Sequence, residues 1–278
     1  MKQLYKFIFA SCVLVSTTSL PANAQIAPGD EKFLIHIGYF LPSFTTKLGI
    51  ASDTLGRGDE VSIEDDLGLD TTQNVVRTDV SWRFAEKHRV ELGYFVFNRN
   101  GEKTLTRELQ IGDEVFPVSA TINTSFKFQI VPFYYYYSFI KTPEMELAGG
   151  LGLQWSTMKA SIIGSSSLGN EDASRDAEAT ADGPLPLISA DFVYYFNPKW
   201  DFGVNIGLFS YKTAQVNKTY QGNVATATIS TDYWFADNFG VGAALNWFAL
   251  DVDVEARLWN GTMNYQYWGP QLFLSAKF

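Results

Sequence analysis

One device recurs four times and limits what this chain can fold into. An aromatic run ends at a Phe, a short polar turn follows, and alternating apolar residues resume. Residues 232–248, DYWFADNFGVGAALNWF, show it around Phe235. The stretches SWRFAEKHRVELGYF, YYSFIKTPEMELAGG and VYYFNPKWDFGVNIG repeat it around Phe84, Phe139 and Phe196. Period-two alternation on either side of a short polar turn marks a β-hairpin.

The two faces of these strands decide their solvent. After the first turn Val90, Leu92, Tyr94 and Val96 share one face, opposed by Arg89, Glu91, Gly93 and Phe95. After the third, Trp200, Phe202, Val204, Ile206 and Leu208 oppose Asp201, Gly203, Asn205 and Gly207. After the fourth, Phe239, Val241, Ala243, Leu245 and Trp247 oppose Gly240, Gly242, Ala244 and Asn246. Each apolar face lasts about ten residues, the length of a tilted membrane-spanning strand. A soluble sandwich would turn bulky apolar residues inward and carry fewer glycines there. The expectation is an all-β, closed antiparallel transmembrane up-and-down barrel, since an open sheet edge has no hydrogen-bond partners in lipid.

Ten strands follow, over 32–41, 74–85, 89–100, 122–140, 145–162, 185–196, 200–214, 220–235, 239–254 and 263–278. Eight or twelve would result if one loop hairpin were miscounted. The four short turns share the periplasmic side, and the connections 42–73, 101–121, 163–184, 215–219 and 255–262 share the other. The stretches SIEDDLGLDTTQN and SSSLGNEDASRDAEATADG are too charged and rich in Gly and Ser to pack a core, and read as exposed loops. The Phe before each turn belongs at the lower membrane interface, where an aromatic ring meets both apolar and wet surroundings. In FYYYYSF (133–139), Phe133, Tyr135 and Tyr137 share the parity of Phe139 and read as girdle rather than a ligand platform.

Residues 1–24 stand apart: Lys2 and Lys6, the apolar FIFASCVLV, then Ala22-Asn23-Ala24 before Gln25. That is a secretory signal peptide, and 25–278 is the barrel. A lipid-anchoring reading at Cys12 would cut the apolar core in half. Removing the signal leaves 254 of the 278 residues and no cysteine. It takes two of the 21 basic residues, so 19 bases face 30 acids for a mature charge of −11. Such acidity argues against nucleic acid as a partner.

The last strand, NYQYWGPQLFLSAKF, puts Trp268, Pro270, Leu272, Leu274, Ala276 and Phe278 on one face. Pro270 is expected to sit at a bulge. The terminal Phe after alternating apolar residues resembles the C-terminal β-signal of Gram-negative outer-membrane barrels. The mature chain is broadly similar to small porin-like or opacity-type surface barrels. The resemblance implies the Gram-negative outer membrane as location, its lipid and lipopolysaccharide as surroundings, and a barrel-assembly machinery that reads Phe278.

Chemistry is sparse. A barrel protease of the omptin type needs Asp and His together at the outer mouth, and other barrel enzymes use a His-centred site. This chain has two histidines, His88 in a periplasmic turn and His36 on the lumen face of the first strand. His36 reads as a hydrogen-bonded interior residue, with general base as the rival. No Cys/His spacing suggests zinc and no glycine loop suggests phosphate. The NKT tripeptide at 217–219 matches a glycosylation pattern by chance. No cofactor is implied.

Strand parity turns Arg77, Asp79, Arg83, Arg89, Glu91, Glu146, Asp191, Asp201, Asp232 and Lys277 into the lumen. Both signs enclosed together predict a charge network that closes or narrows it. On the ninth strand the outward parity passes Trp247 and Ala249 to Asp251, Asp253 and Glu255, so the apolar band must end near Ala249. These carboxylates form either a solvated acidic edge or a calcium or magnesium bridge to lipopolysaccharide phosphates. Two function classes follow: a non-catalytic surface barrel that is structural, adhesive or ligand-binding through its loops, or a narrow, selective channel. A membrane-embedded hydrolase is the third class.

Overall fold

The computed structural model describes residues 26–52, 60–111, 114–167, 172–215, 218–256 and 259–278. The signal peptide expected over 1–24, Asn217 of NKT and the side chain of Glu255 lie outside the described residues. In chain order the elements are β1 (Phe33–Phe40), β2 (Ser43–Ser52), β3 (Glu60–Ser62), α1 (Ile63–Leu67), β4 (Val75–Ala85) and β5 (His88–Thr104). Then come β6 (Leu109–Ile111), β7 (Glu114–Phe116), β8 (Thr121–Lys141), β9 (Met145–Ser167) and β10 (Asp172–Asn197). The chain finishes with β11 (Trp200–Gln215), β12 (Lys218–Trp234), β13 (Phe239–Ala256) and β14 (Trp259–Lys277).

Ten of these strands form a closed antiparallel barrel in the order β1-β4-β5-β8-β9-β10-β11-β12-β13-β14, with β14 pairing back onto β1 from Leu34↔Lys277 to Phe40↔Gln271. Closure leaves no barrel edge for lipid to meet unsatisfied. Around the lower half the wall is apolar outside. Leu272 and Leu274 of β14 are 65 and 66 % exposed, while Phe273 and Ser275 on the other face are buried. The four turn residues Phe84, Phe139, Phe196 and Phe235 are 48, 64, 62 and 57 % exposed, so all four rings point out at the level of the short turns.

Above this belt the alternation inverts. On β8, Phe133 faces outward, but higher up Ile122, Phe126, Phe128 and Ile130 are buried while Asn123, Ser125 and Lys127 are exposed. Outward polar and inward apolar residues suit a wall that stands in water around a core of its own. The barrel therefore has two storeys, and the strands run on well past the belt. This is why the regions expected as loops are shorter than the sequence reading made them: β5 runs to Thr104, and β9 and β10 pair from Asp172↔Ser167 downward. A polar, serine-rich stretch that cannot cross a bilayer can still form a strand above one.

The largest departure is at 42–73, read as a loop. Leu41-Pro42 interrupts the first strand, and β2 then continues along β14 from Ser43↔Trp268 to Ser52↔Trp259. The chain returns through β3 and α1 and fills the place that β4 leaves vacant between β2 and β5, because β4 begins only at Val75. Helix α1 is one short turn, capped by Ser62, whose hydroxyl accepts from the Asp65 amide at 3.1 Å. It ends at Gly68, whose φ of 72° is a left-handed conformation that glycine adopts without steric cost. Gly68 in turn lies against Gly101 of β5 so closely that a Cβ on Gly101 would stand 2.2 Å from the Gly68 carbonyl oxygen.

The bulge expected at Pro270 is absent: β13–β14 register runs unbroken through Leu245↔Pro270. The irregularity sits instead on the facing strand. Leu41 donates its amide to the Pro270 carbonyl at 2.9 Å, and the missing proline N–H faces this Leu41-Pro42 interruption.

Candidate functional site

The interior has an aromatic layer above and a charged layer below. In the upper layer Phe97, wholly buried, has its ring centroid 5.0 Å from Phe44, 5.4 Å from Phe95 and 5.1 Å from Tyr267. Phe128 on β8 meets Tyr265 on β14 at 5.1 Å and Phe248 on β13 at 6.5 Å. These strands are not neighbours in the wall, so the rings meet across the lumen. Val61, Ile63, Leu67 and Leu69 of the inserted segment belong to the same buried cluster. Burying each large side chain stabilises by about 1.5–3 kcal/mol, and edge-to-face pairs add about 0.5–1.5 kcal/mol. This layer could not be read from an outward apolar band alone. Its signal was present in TINTSFKFQI, where Ile122, Phe126, Phe128 and Ile130 take the parity that Tyr134 and Tyr136 hold below.

One charge cluster is embedded in that layer. Arg99 reaches Glu64 of α1 at 2.5 Å, the Asp70 carbonyl at 2.8 Å and the Thr46 hydroxyl at 3.3 Å, with its guanidinium 4.3 Å from the Phe44 ring centroid. The other Glu64 oxygen accepts from the Thr46 amide at 2.8 Å. Neither Arg99 nor Glu64 figured in the strand-parity set, although Arg99 shares the inward parity of Arg89 and Glu91; Glu64 lies on α1, which strand parity does not reach.

Below, the ten lumen residues fall into three groups. Glu146, fully buried, accepts from Arg83 at 2.7 Å, Arg89 at 3.2 Å and the Ser138 hydroxyl at 2.5 Å. Arg89 also reaches Asp191 at 2.5 Å and Glu91 at 3.0 Å, joining β5 to β10 across the interior. Asn205 donates to Asp191 at 3.0 Å and to the Tyr136 hydroxyl at 2.7 Å. In the second group Arg77 forks onto Asp79 at 2.8 and 3.0 Å and donates to Asn246 on β13 at 3.2 Å. Two-pronged arginine pairs hold position as well as charge.

The third group sits nearest the short turns. Asp201 accepts from the Trp234 indole at 2.9 Å, Lys277 lies 4.1 Å from a Trp234 ring centroid, and Asp232 accepts from the Ser275 hydroxyl. His36 Nε2 is 3.7 Å from Asp232. A Ser, a His and an Asp thus meet here, which sequence spacing did not reveal. Their order is wrong for nucleophile activation: the serine hydroxyl gives its hydrogen to the carboxylate, and no imidazole stands between them to take it. His88 is elsewhere, on the outer wall, with Nδ1 2.7 Å from the Tyr135 hydroxyl.

At the outer rim Asp251 accepts from Asn264, and Asp253 is exposed. Among the described residues no three His, Cys, Asp or Glu side chains are grouped to hold a metal ion. Between the aromatic layer and the short turns lies a cavity of about 250 Å³ bounded by the lower charged groups.

No protein-family model and no curated protein matches the chain. Solved structures do. The outer-membrane protease OmpT from Escherichia coli is 11 % identical, with a TM-score of 0.56 over 88 % of this chain and 97 % of that one. The outer-membrane protein OprG from Pseudomonas aeruginosa is 13 % identical, with a TM-score of 0.38 over 89 % and 96 %. At such identities the likeness concerns the path of the backbone. The chain has the closed, antiparallel ten-stranded barrel fold seen in outer-membrane proteins such as OmpT.

Proposed function

We propose that this chain is a non-conducting, non-catalytic surface barrel of a Gram-negative outer membrane, working through the storey that rises above its apolar belt. One observation carries the reading: aromatic rings from opposite walls meet across the lumen, and α1 is packed into the same layer. A solute path at that level would have to part Phe97, Phe128 and Tyr265, all buried. Charge networks below link β5 to β10 and β4 to β13, which supports the same reading. Against catalysis stands the Ser275–Asp232–His36 order, which gives the serine no imidazole base. Asp251 and Asp253 belong to a solvated acidic edge in this reading, facing lipopolysaccharide.

Liposome swelling tests it. Vesicles carrying the refolded protein should swell in sugars and amino acids no faster than empty vesicles. Swelling that falls with solute size would replace this reading with the channel reading.

A further inference from the structure

The lower lumen is walled with charge but not filled. Its cavity of about 250 Å³ has room for several ordered waters. The aromatic layer caps it above. Below, it reaches Pro28 and Gly29 of the amino-terminal segment and the Asn197-Pro198 turn, so its mouth lies at the periplasmic rim.

Its walls are unbalanced in charge. Glu31, Asp79, Glu91, Asp191, Asp201 and Asp232 face Arg77, Arg89 and Lys277. Arg77 serves Asp79, and Arg89 serves Glu91 and Asp191. That leaves Lys277 as the one lysine or arginine of the lining for Glu31, Asp201 and Asp232, the last two directly opposite each other on β11 and β12. Like charges in that position repel. Among the described residues the one ion-pair contact that either makes is His36 to Asp232 at 3.7 Å. A cation with its own hydrogen-bond donors would relieve the pair.

A second feature points into the same space independently. Gln154, 3 % exposed, lines the cavity toward the aromatic layer, and its Nε2 has no hydrogen-bond partner. A buried amide donor left unpaired costs about 1–3 kcal/mol unless water or a ligand accepts from it. The donor and the acid pair lie at opposite ends of one cavity.

We propose that this chamber is a periplasm-facing binding site for an elongated organic cation that carries an acceptor oxygen at its far end, the amino-alcohol class. The ammonium end sits between Asp201 and Asp232, and the oxygen accepts from Gln154. The site is separate from the outer storey, so a ligand reaches it without crossing the aromatic layer.

Calorimetric titration of the full chain, folded in detergent at constant salt, tests this. The probes are linear amino alcohols of four, six and eight carbons, with the matching diols and alkylamines as controls. One amino alcohol should bind best, the diols should not bind, and the alkylamines should bind more weakly. Asp201→Asn together with Asp232→Asn should weaken the best probe about tenfold or more, since a charge-assisted hydrogen bond is lost. Gln154→Leu should lower its affinity to that of the alkylamine while leaving the alkylamine unchanged. Heat-modifiable mobility confirms that each variant is folded. Equal binding of amines and diols, no binding by any probe, or indifference to the acid-pair variant would each overturn the proposal and leave a water-filled chamber.

Discussion

Arg99 holds Glu64 at 2.5 Å inside the aromatic layer, and this contact helps fasten α1 to the barrel wall beside the Thr46 amide bond to Glu64 and the packing of Ile63 and Leu67. The arginine comes from β5 and the glutamate from the segment that closes the gap above β4. Both are almost wholly shielded, their side chains 0 and 5 % exposed. Removing one partner of a buried pair leaves an uncompensated charge and costs about 3–5 kcal/mol, whereas replacing both by apolar groups costs far less. Arg99→Met should therefore destabilise the folded protein by that amount. Arg99→Met combined with Glu64→Met should recover most of it. Denaturant unfolding in detergent measures both, and a double variant as unstable as the single one would contradict the assigned pairing.

Glu31, on the amino-terminal segment before β1, offers a test in pH. Burial pushes its carboxyl above the ordinary range, opposed by its backbone hydrogen bond and by Arg83, Arg89 and Lys277. The folded chain thus favours the protonated form. Its contribution is fully present below the ordinary glutamate pKa and declines as pH rises through the raised value. Protease removal of the amino-terminal segment should be slower on the acid side of that window than above it. Glu31→Gln should abolish the difference.

Phe278 is partly exposed at the rim, and both its backbone amide and its carbonyl are engaged by the start of β1. Its carbonyl accepts from the Lys32 and Phe33 amides at 2.7 and 2.9 Å, and its amide donates to the Phe33 carbonyl at 2.9 Å. Deleting it removes both the barrel seam's last pairing and the terminal ring. Export should proceed while the yield of heat-modifiable, outer-membrane-inserted protein falls. Normal insertion of the deletion variant would contradict an assembly role.

Legibility in the sequence followed the solvent. In the belt each outward position meets lipid, so Val90, Leu92 and Tyr94 announce a strand, its parity and its length. The four turn phenylalanines marked one end of the barrel for the same reason. Above the belt the outside is water, and the rule reverses within a single strand. On β8 the outward face changes from Phe133 to Lys127 and Ser125 without a turn. A reading keyed to outward apolar residues therefore ended strands early and took 42–73 for a loop. Helix α1 was hidden because IEDDL is acidic along most of its length, with Ile63 and Leu67 its only apolar residues. Parity also could not say which lumen charges meet. The Arg89–Asp191 contact depends on the barrel's width, and the placement of Ser275 beside Asp232 depends on strand order across β12, β13 and β14.

The central claim is that the aromatic layer closes the lumen, and planar-bilayer recording tests it most directly. Wild-type protein should give no steady conductance. Phe97→Ala removes the ring that touches Phe44, Phe95 and Tyr267, at a cost of about 3–5 kcal/mol in stability. It should produce brief openings in protein that is still folded. Large, steady conductance from the wild type, unchanged in Phe97→Ala, would contradict the account.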